Sequence, residues 1–161
     1  MTETEYGEFI EAVDEKNREF VSDLHTFLLE NGCDSERKTA KSGYTVSYIL
    51  NDTGKTLANY VFRKTGIKMR IYPKNLNRYE ELLNTFPDKM KKDIKKSSVC
   101  KRMVNPDACN PRCSMGYRFD LEDETYEKCR YMAFFFGLSE ENNPFIKAFL
   151  EKELNKSSTI L

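Results

Sequence analysis

The sequence predicts an α+β fold: an antiparallel sheet, built as a three-stranded meander plus a second hairpin, packed against N-terminal, central and C-terminal helices. Three observations carry it. Apolar residues recur at three- and four-residue steps in the first thirty positions, strict alternation follows between Tyr44 and Tyr72, and a second alternating stretch lies between Tyr117 and Arg130. A chain of 161 residues can bury one continuous apolar core without disulfides. Its apolar fraction of 39% and charged fraction of 32%, with eleven Phe and nine Tyr, fit an ordered globular chain. One domain is expected over 1–155, with 156–161 as a frayed tail.

Phe9, Ile10, Val13, Phe20, Leu24, Phe27 and Leu28 read as one amphipathic helix ending at Asn31-Gly32, where glycine takes the left-handed conformation without a Cβ penalty. The single histidine, His25, lies inside it as an ordinary helix residue, since no carboxylate or cysteine beside it forms a recognisable site. Cys33 follows as a lone thiol, and Asp34 to Gly43 reads as a polar loop. Tyr44 to Leu50 and Thr56 to Arg63 then form a hairpin about the Asn51-Asp52-Thr53-Gly54 turn. Ile67 to Tyr72 adds a third strand, stopped by Pro73.

Leu76, Tyr79, Leu82, Leu83 and Phe86 continue at helical spacing with Asn75 or Asn77 placed to cap, and Pro87-Asp88 leads into a short lysine-rich helix around Met90 and Ile94. Tyr117, Phe119 and Leu121 open a hairpin that turns at Glu122-Asp123-Glu124 and returns through Cys129. Met132-Ala133-Phe134-Phe135-Phe136 is apolar without alternation, which predicts a strand covered on both faces and central in the sheet. Asn142 or Asn143, then Pro144, starts a last helix carrying Phe145, Ile146, Phe149, Leu150 and Leu154.

The formal net charge is zero, but it is segregated. Residues 1–36 carry eleven acids and two bases, residues 37–102 seventeen bases and five acids, and residues 103–161 seven bases and ten acids. The basic middle either meets an anionic partner or is neutralised by the acidic N-terminal helix folding back on it. Alternation puts Lys68, Arg70 and Tyr72 on the sheet face opposite Ile67, Met69 and Ile71. With Lys91, Lys92, Lys95 and Lys96 of the lysine helix, they form a candidate nucleic-acid or anion surface, on which rings stack with bases and cations contact phosphates.

Cys100, Cys109, Cys113 and Cys129 gather four of the five cysteines into thirty residues, at the spacing C-x8-C-x3-C-x15-C, with Asn105-Pro106, Asn110-Pro111 and Gly116 supplying turns between them. A structural Zn²⁺ bound by four thiolates is the leading reading, because it would hold a connection with little core of its own. Lys101, Arg102, Arg112, Lys128 and Arg130 flank these positions and would favour the thiolate forms. Neither close pair is the C-x2-C knuckle of standard zinc sites. An iron–sulfur cluster, a redox pair at Cys109 and Cys113, and unliganded thiols are the alternatives. The first six residues are acidic and polar and the longest apolar run is short, so the expected setting is cytoplasmic, without a membrane partner.

The stretch Cys109-Asn-Pro-Arg-Cys113-Ser-Met-Gly-Tyr117, followed by Tyr126-Glu-Lys-Cys129-Arg130 and Phe134-Phe-Phe136, resembles a group of small bacterial proteins that carry a cysteine cluster before an apolar hairpin. The resemblance spans residues 20–155 and implies a bacterial cytosolic setting and cysteines that act together, with no activity attached. Walker, G-x-G-x-x-G, G-x-S-x-G and H-E-x-x-H motifs are missing, and one histidine leaves little Ser-His or Cys-His machinery. The chain therefore reads as a binding or regulatory module rather than an enzyme. The rival readings are a thiol or metal-cluster redox protein and a nucleic-acid binder.

Overall fold

A computed structural model describes residues 1–41 and 43–156; the frayed tail expected over 156–161 lies outside the described residues beyond Lys156. Helix α1 (Glu3–Ala12) starts on a capping box, the Thr2 hydroxyl accepting from the Glu5 N–H while the Glu5 carboxylate accepts from the Thr2 N–H. The sequence reading has one helix ending at Asn31-Gly32, but the chain breaks at Val13, makes a 3₁₀ turn over Glu15–Asn17 and restarts as α2 (Arg18–Glu30). Tertiary contacts hold the break. Arg18 donates to the carbonyls of Val13 and Glu11 at 2.9 and 3.1 Å, satisfying acceptors that α1 leaves free, and buried Asn17 accepts from Asn143 at 2.9 Å. Helix α2 stops where the sequence says it should, with Gly32 at a φ of +89°.

The expected loop after Gly32 is instead a strand, β1 (Cys33–Ala40), paired with β2 (Gly43–Leu50) from Cys33↔Leu50 to Ala40↔Gly43. It is an edge strand. Its charges replace the apolar alternation that a sequence reading needs, and such charges are how sheet edges resist pairing with other chains. Strands β3 (Thr56–Arg63) and β4 (Gly66–Ile71) continue the meander as expected. The C-terminal strand β7 (Phe135–Gly137) closes the antiparallel order β1-β2-β3-β4-β7. β7 is therefore a second edge, not the central strand expected over Met132–Phe136. The Cys129 carbonyl accepts from both Met132 and Ala133, turning the chain there and leaving Met132 exposed.

Register assigns the two faces. Val46, Tyr60, Met69 and Phe136 sit opposite one another across four strands and are wholly buried. The helices cover this face: Phe9 of α1 packs 5.1 Å from Tyr60, His25 of α2 lies edge-on to Tyr48, and Phe86 lies edge-on to Phe136. Ser47, Asn59, Arg70 and Phe135 form the corresponding row on the opposite face.

Leu76, Leu82 and Leu83 are buried as expected, but on two 3₁₀ segments, Leu76–Arg78 and Glu80–Thr85, rather than on one helix, and buried Phe86 follows the second. Glu153 accounts for the difference: its buried carboxylate accepts from the N–H groups of Lys74 and Asn75, the Asn75 amide and the Tyr79 hydroxyl. Asn75 is thus spent on Glu153 rather than on a helix cap. Helices α3 (Asp88–Lys96) and α5 (Asn143–Glu153) match the pattern, with Pro144 in the first turn of α5; a single turn, α4 (Lys101–Val104), lies between them in sequence. The second hairpin, β5 (Tyr117–Leu121) and β6 (Glu124–Lys128), forms its own two-stranded sheet. Its turn residues Glu122 and Asp123 both have positive φ, as a tight hairpin of this kind requires.

His25 Nδ1 lies 2.9 Å from the Tyr48 hydroxyl and its ring stacks on Tyr6 at 4.2 Å. Burial, assisted by the N-terminal ammonium, holds its pKa below the usual histidine value. The unfolded chain then binds a proton that the folded chain resists. Stability from this group is fully present above the unfolded pKa of about 6.5 and is lost as pH falls through the folded pKa. Urea titrations should show the unfolding midpoint dropping as pH is lowered from about 7.5 to about 5.5, with His25→Gln flattening that part of the profile.

Candidate functional site

Cys100, Cys109, Cys113 and Cys129 line one cavity of about 400 Å³. Two of them are set by backbone pairing: the Cys100 N–H donates to Glu127 at 3.0 Å and the Cys129 N–H to Ser98 at 2.7 Å, on either side of a bridge between Val99 and Lys128. Lys128 fixes this pair from below, its Nζ donating to the Lys95 and Ser97 carbonyls, both at 2.8 Å. Lys128 is therefore committed to the end of α3 rather than to the thiols.

The other two cysteines ride on the Asn105–Gly116 segment, which is organised by its own turns. Asn105 and Asn110 side chains accept from the N–H groups of Asp107 and Arg112, and the Asn110 carbonyl accepts from Cys113. Arg102 donates to the Cys113 carbonyl. Gly116 then seats the segment against the strand pair, its N–H donating to Cys100 Sγ at 3.2 Å. A Cβ there would stand 1.9 Å from the Lys128 carbonyl oxygen, so no larger residue fits this approach.

The four thiols differ in access: Cys100 is buried, Cys113 and Cys129 are partly buried and Cys109 is exposed. All are free, and Lys101, Arg102, Arg112 and Arg130 line the same cavity. Among the described residues, no three His, Cys, Asp or Glu side chains stand close enough to hold one metal ion. The four expected ligands thus share a cavity without meeting at a point. Cys33 lies in β1, where burial and then Asp34 and Asp52 push its thiol up to about 11.

The second predicted set divides. Lys68, Arg70 and Tyr72 belong with the open sheet face, joined there by residues the sequence reading did not single out. Arg63, Lys68 and Arg70 place their cationic groups 5.2, 4.7 and 4.6 Å from the centre of the Phe135 ring. Arg70 also donates to the Tyr131 carbonyl at 2.7 Å. Phe135 was legible only in hindsight: alternation along β7 sends it opposite to Phe136. The lysine helix does not join them. Lys91 and Lys95 reach Glu122 on the β5–β6 turn, at 3.9 and 2.9 Å, and Lys92 and Lys96 are exposed on α3.

Comparison of the chain with protein-family models, curated proteins and solved structures finds no match, so the bacterial setting implied by the resemblance gains no support there. No helix among the described residues is long and apolar enough to cross a membrane.

Two outcomes follow from this geometry. Gly116→Ala should lower unfolding stability by about 1–3 kcal/mol in urea titrations, whereas Gly7→Ala, with open space around it on a helix, should be neutral or stabilising. In timed thiol labelling of the native, metal-stripped protein near pH 8, Cys109 should react first and Cys33 only on unfolding.

Proposed function

We propose that the protein is a small binding module whose cysteine-rich connection is held by one zinc ion, with Cys100, Cys109, Cys113 and Cys129 as ligands. The supporting observation is that these four free thiols, drawn from three separate stretches of chain, open on a single cavity ringed by four cations. Zn²⁺ takes four thiolates tetrahedrally, and the resulting net charge of about −2 is offset by those guanidinium and ammonium groups. Cys100 and Cys129 are already fixed on a hydrogen-bonded strand pair. Gathering the ligands therefore falls to the Asn105–Gly116 segment, whose exposed turns can close over that pair. The ion's role in this reading is structural: all four positions are filled by protein, leaving none for a substrate.

Elemental analysis of protein purified without added metal or chelator should give one equivalent of zinc, lost in Cys113→Ser. At a hundredfold excess over its dissociation constant the ion should add about 2.7 kcal/mol to unfolding stability. Zinc should also shield Cys109 and Cys113 from thiol labelling. Iron with visible absorption would replace this reading with a cluster. Absence of metal, together with labelling that ignores added zinc, would end it.

A further inference from the structure

We infer that the helix-free face of the sheet binds single-stranded nucleic acid along a track that runs from β1 to β7. Lys68, Arg70, Asn59 and Phe135 are placed by strand register and not by the cysteines, whereas Arg130 and Tyr131 follow Cys129 and line both this face and the cysteine cavity.

Charge is the first observation. Arg63, Lys68 and Arg70 converge on the Phe135 ring, and among the described residues no carboxylate forms an ion pair with any of them. Three like charges held together over one ring raise the local potential, and an incoming anion relieves their repulsion. Phe135 is buried beneath them, so its part is to hold the cations and not to stack on a base.

Next to this cluster lies a hollow of about 350 Å³ whose lining includes Thr45, Ser47, Asn59, Tyr72, Arg130 and Tyr131. Hydroxyls, an amide and two tyrosine rings are the groups that read the edges and faces of unpaired bases. Asn59 Oδ1 is buried without a hydrogen-bond partner among the described residues, an acceptor suited to an amino or hydroxyl donor. Tyr131 is 48% exposed and lies edge-on to Tyr72 at 6.0 Å. Arg130 sits over the Tyr72 ring at 5.5 Å. The hydrogen bond from Arg70 to the Tyr131 carbonyl joins hollow and cation cluster into one surface.

Lys38 on β1, paired with Glu36 at 3.7 Å, borders the hollow with Lys55 at one end, and Arg63 and Lys68 reach Phe135 on β7 at the other. Four strand spacings separate those edges, about 19 Å at ~4.8 Å each. One phosphate cannot engage such a spread, whereas a polyanion can. Helices α1 and α2 pack on the other face of the sheet, so neither is offered from this one to a duplex groove, and exposed Tyr131 needs an unpaired base to stack on. A single strand therefore fits better than a duplex. The lysine helix is outside the track, Lys91 and Lys95 being held by Glu122.

The test is fluorescence anisotropy of the full, reduced chain with a labelled oligo(dT) or oligo(U) of about 20 nucleotides at about 50 mM salt. Expected are micromolar binding that weakens steeply as salt rises, a loss of about tenfold or more in Lys68→Glu and in Arg70→Glu, and a loss of at least about fivefold in Tyr131→Ala. Lys92→Glu on α3 should stay within about twofold of the parent. Lys68→Glu guards against the chance that Arg70→Glu disturbs the Tyr131 turn, and circular dichroism checks each fold. The inference falls if no binding is seen at low salt, or if Lys68→Glu binds like the parent. It falls equally if a duplex or polyglutamate competes as well as the single strand while Tyr131→Ala has no effect, since that is adsorption of any polyanion. Lys68 and Arg70 lie outside the cysteine cavity, so the outcomes for Lys68→Glu and Arg70→Glu are read the same way whatever the zinc content.

Discussion

The three residues of β7 on the edge of β4 tie the molecule together. Met69↔Phe136 and Arg70↔Phe135 are paired there, and the bonds from Ile71 to Phe134 and from Leu138 to Ile67 extend the contact on both sides. Pairing of period two leaves no freedom about the side chains: Phe136 must enter the helix-covered core and Phe135 must appear on the opposite face. Phe134, just before the strand, packs at 5.2 Å from both Phe119 of β5 and Phe149 of α5, so the second hairpin and the last helix are fixed to the same joint. A one-residue slip would send Phe136 to the open face and bring Phe135 or Gly137 opposite Met69 in its place. Removing such a ring alone costs about 3–5 kcal/mol.

A second tie holds the far end of α5. Glu153 is buried yet surrounded by donors from the Lys74–Tyr79 stretch, which is the condition under which a buried carboxylate is tolerated. Burial, and then the Glu153 charge, push the Tyr79 hydroxyl far above its ordinary value, so it remains a donor at any physiological pH. Together β7 and Glu153 hold α5 at both ends against the meander. The connection that carries the cysteines is thereby left on the outside, supported by the Ser98–Cys100 strand pair and by the close approach at Gly116.

Much of this was legible in the sequence because the physical signals were local. The strands β2 to β4 announced themselves by alternation, the end of α2 by Gly32, and α5 by Pro144 within a spaced apolar pattern. What failed depended on partners far along the chain. β1 has no apolar alternation and becomes a strand only because β2 offers it a full ladder. The break between α1 and α2 depends on Asn143, more than a hundred residues away, and the 3₁₀ segments depend on Glu153. Spacing placed the four cysteines in one neighbourhood, but nothing in it could say that they line a cavity wall without converging. Lys91 and Lys95 looked like companions of Lys68 until the β5–β6 turn brought Glu122 to them.

The segregated charge also survives folding, in a form the sequence left open. Neutralisation of the basic middle by the acidic N-terminal segment was one alternative, and Arg37 to Glu8 at 2.6 Å and Lys38 to Glu36 at 3.7 Å are the ion pairs between those two segments among the described residues. Glu11, Asp14 and Glu15 instead border a cleft of about 880 Å³, with Arg63, Lys64 and Lys68 also in its lining. Helices α1 and α2, which carry most of the N-terminal acids, lie on the covered side of the sheet, while Arg70 and Arg130 stand on the other. Arg63 and Lys68 face both the acids of that cleft and the Phe135 ring, whereas Arg70 is not in the cleft's lining. A chain of zero net charge thus keeps three cations around Phe135, on the face of the sheet opposite the one that Phe9 and His25 cover.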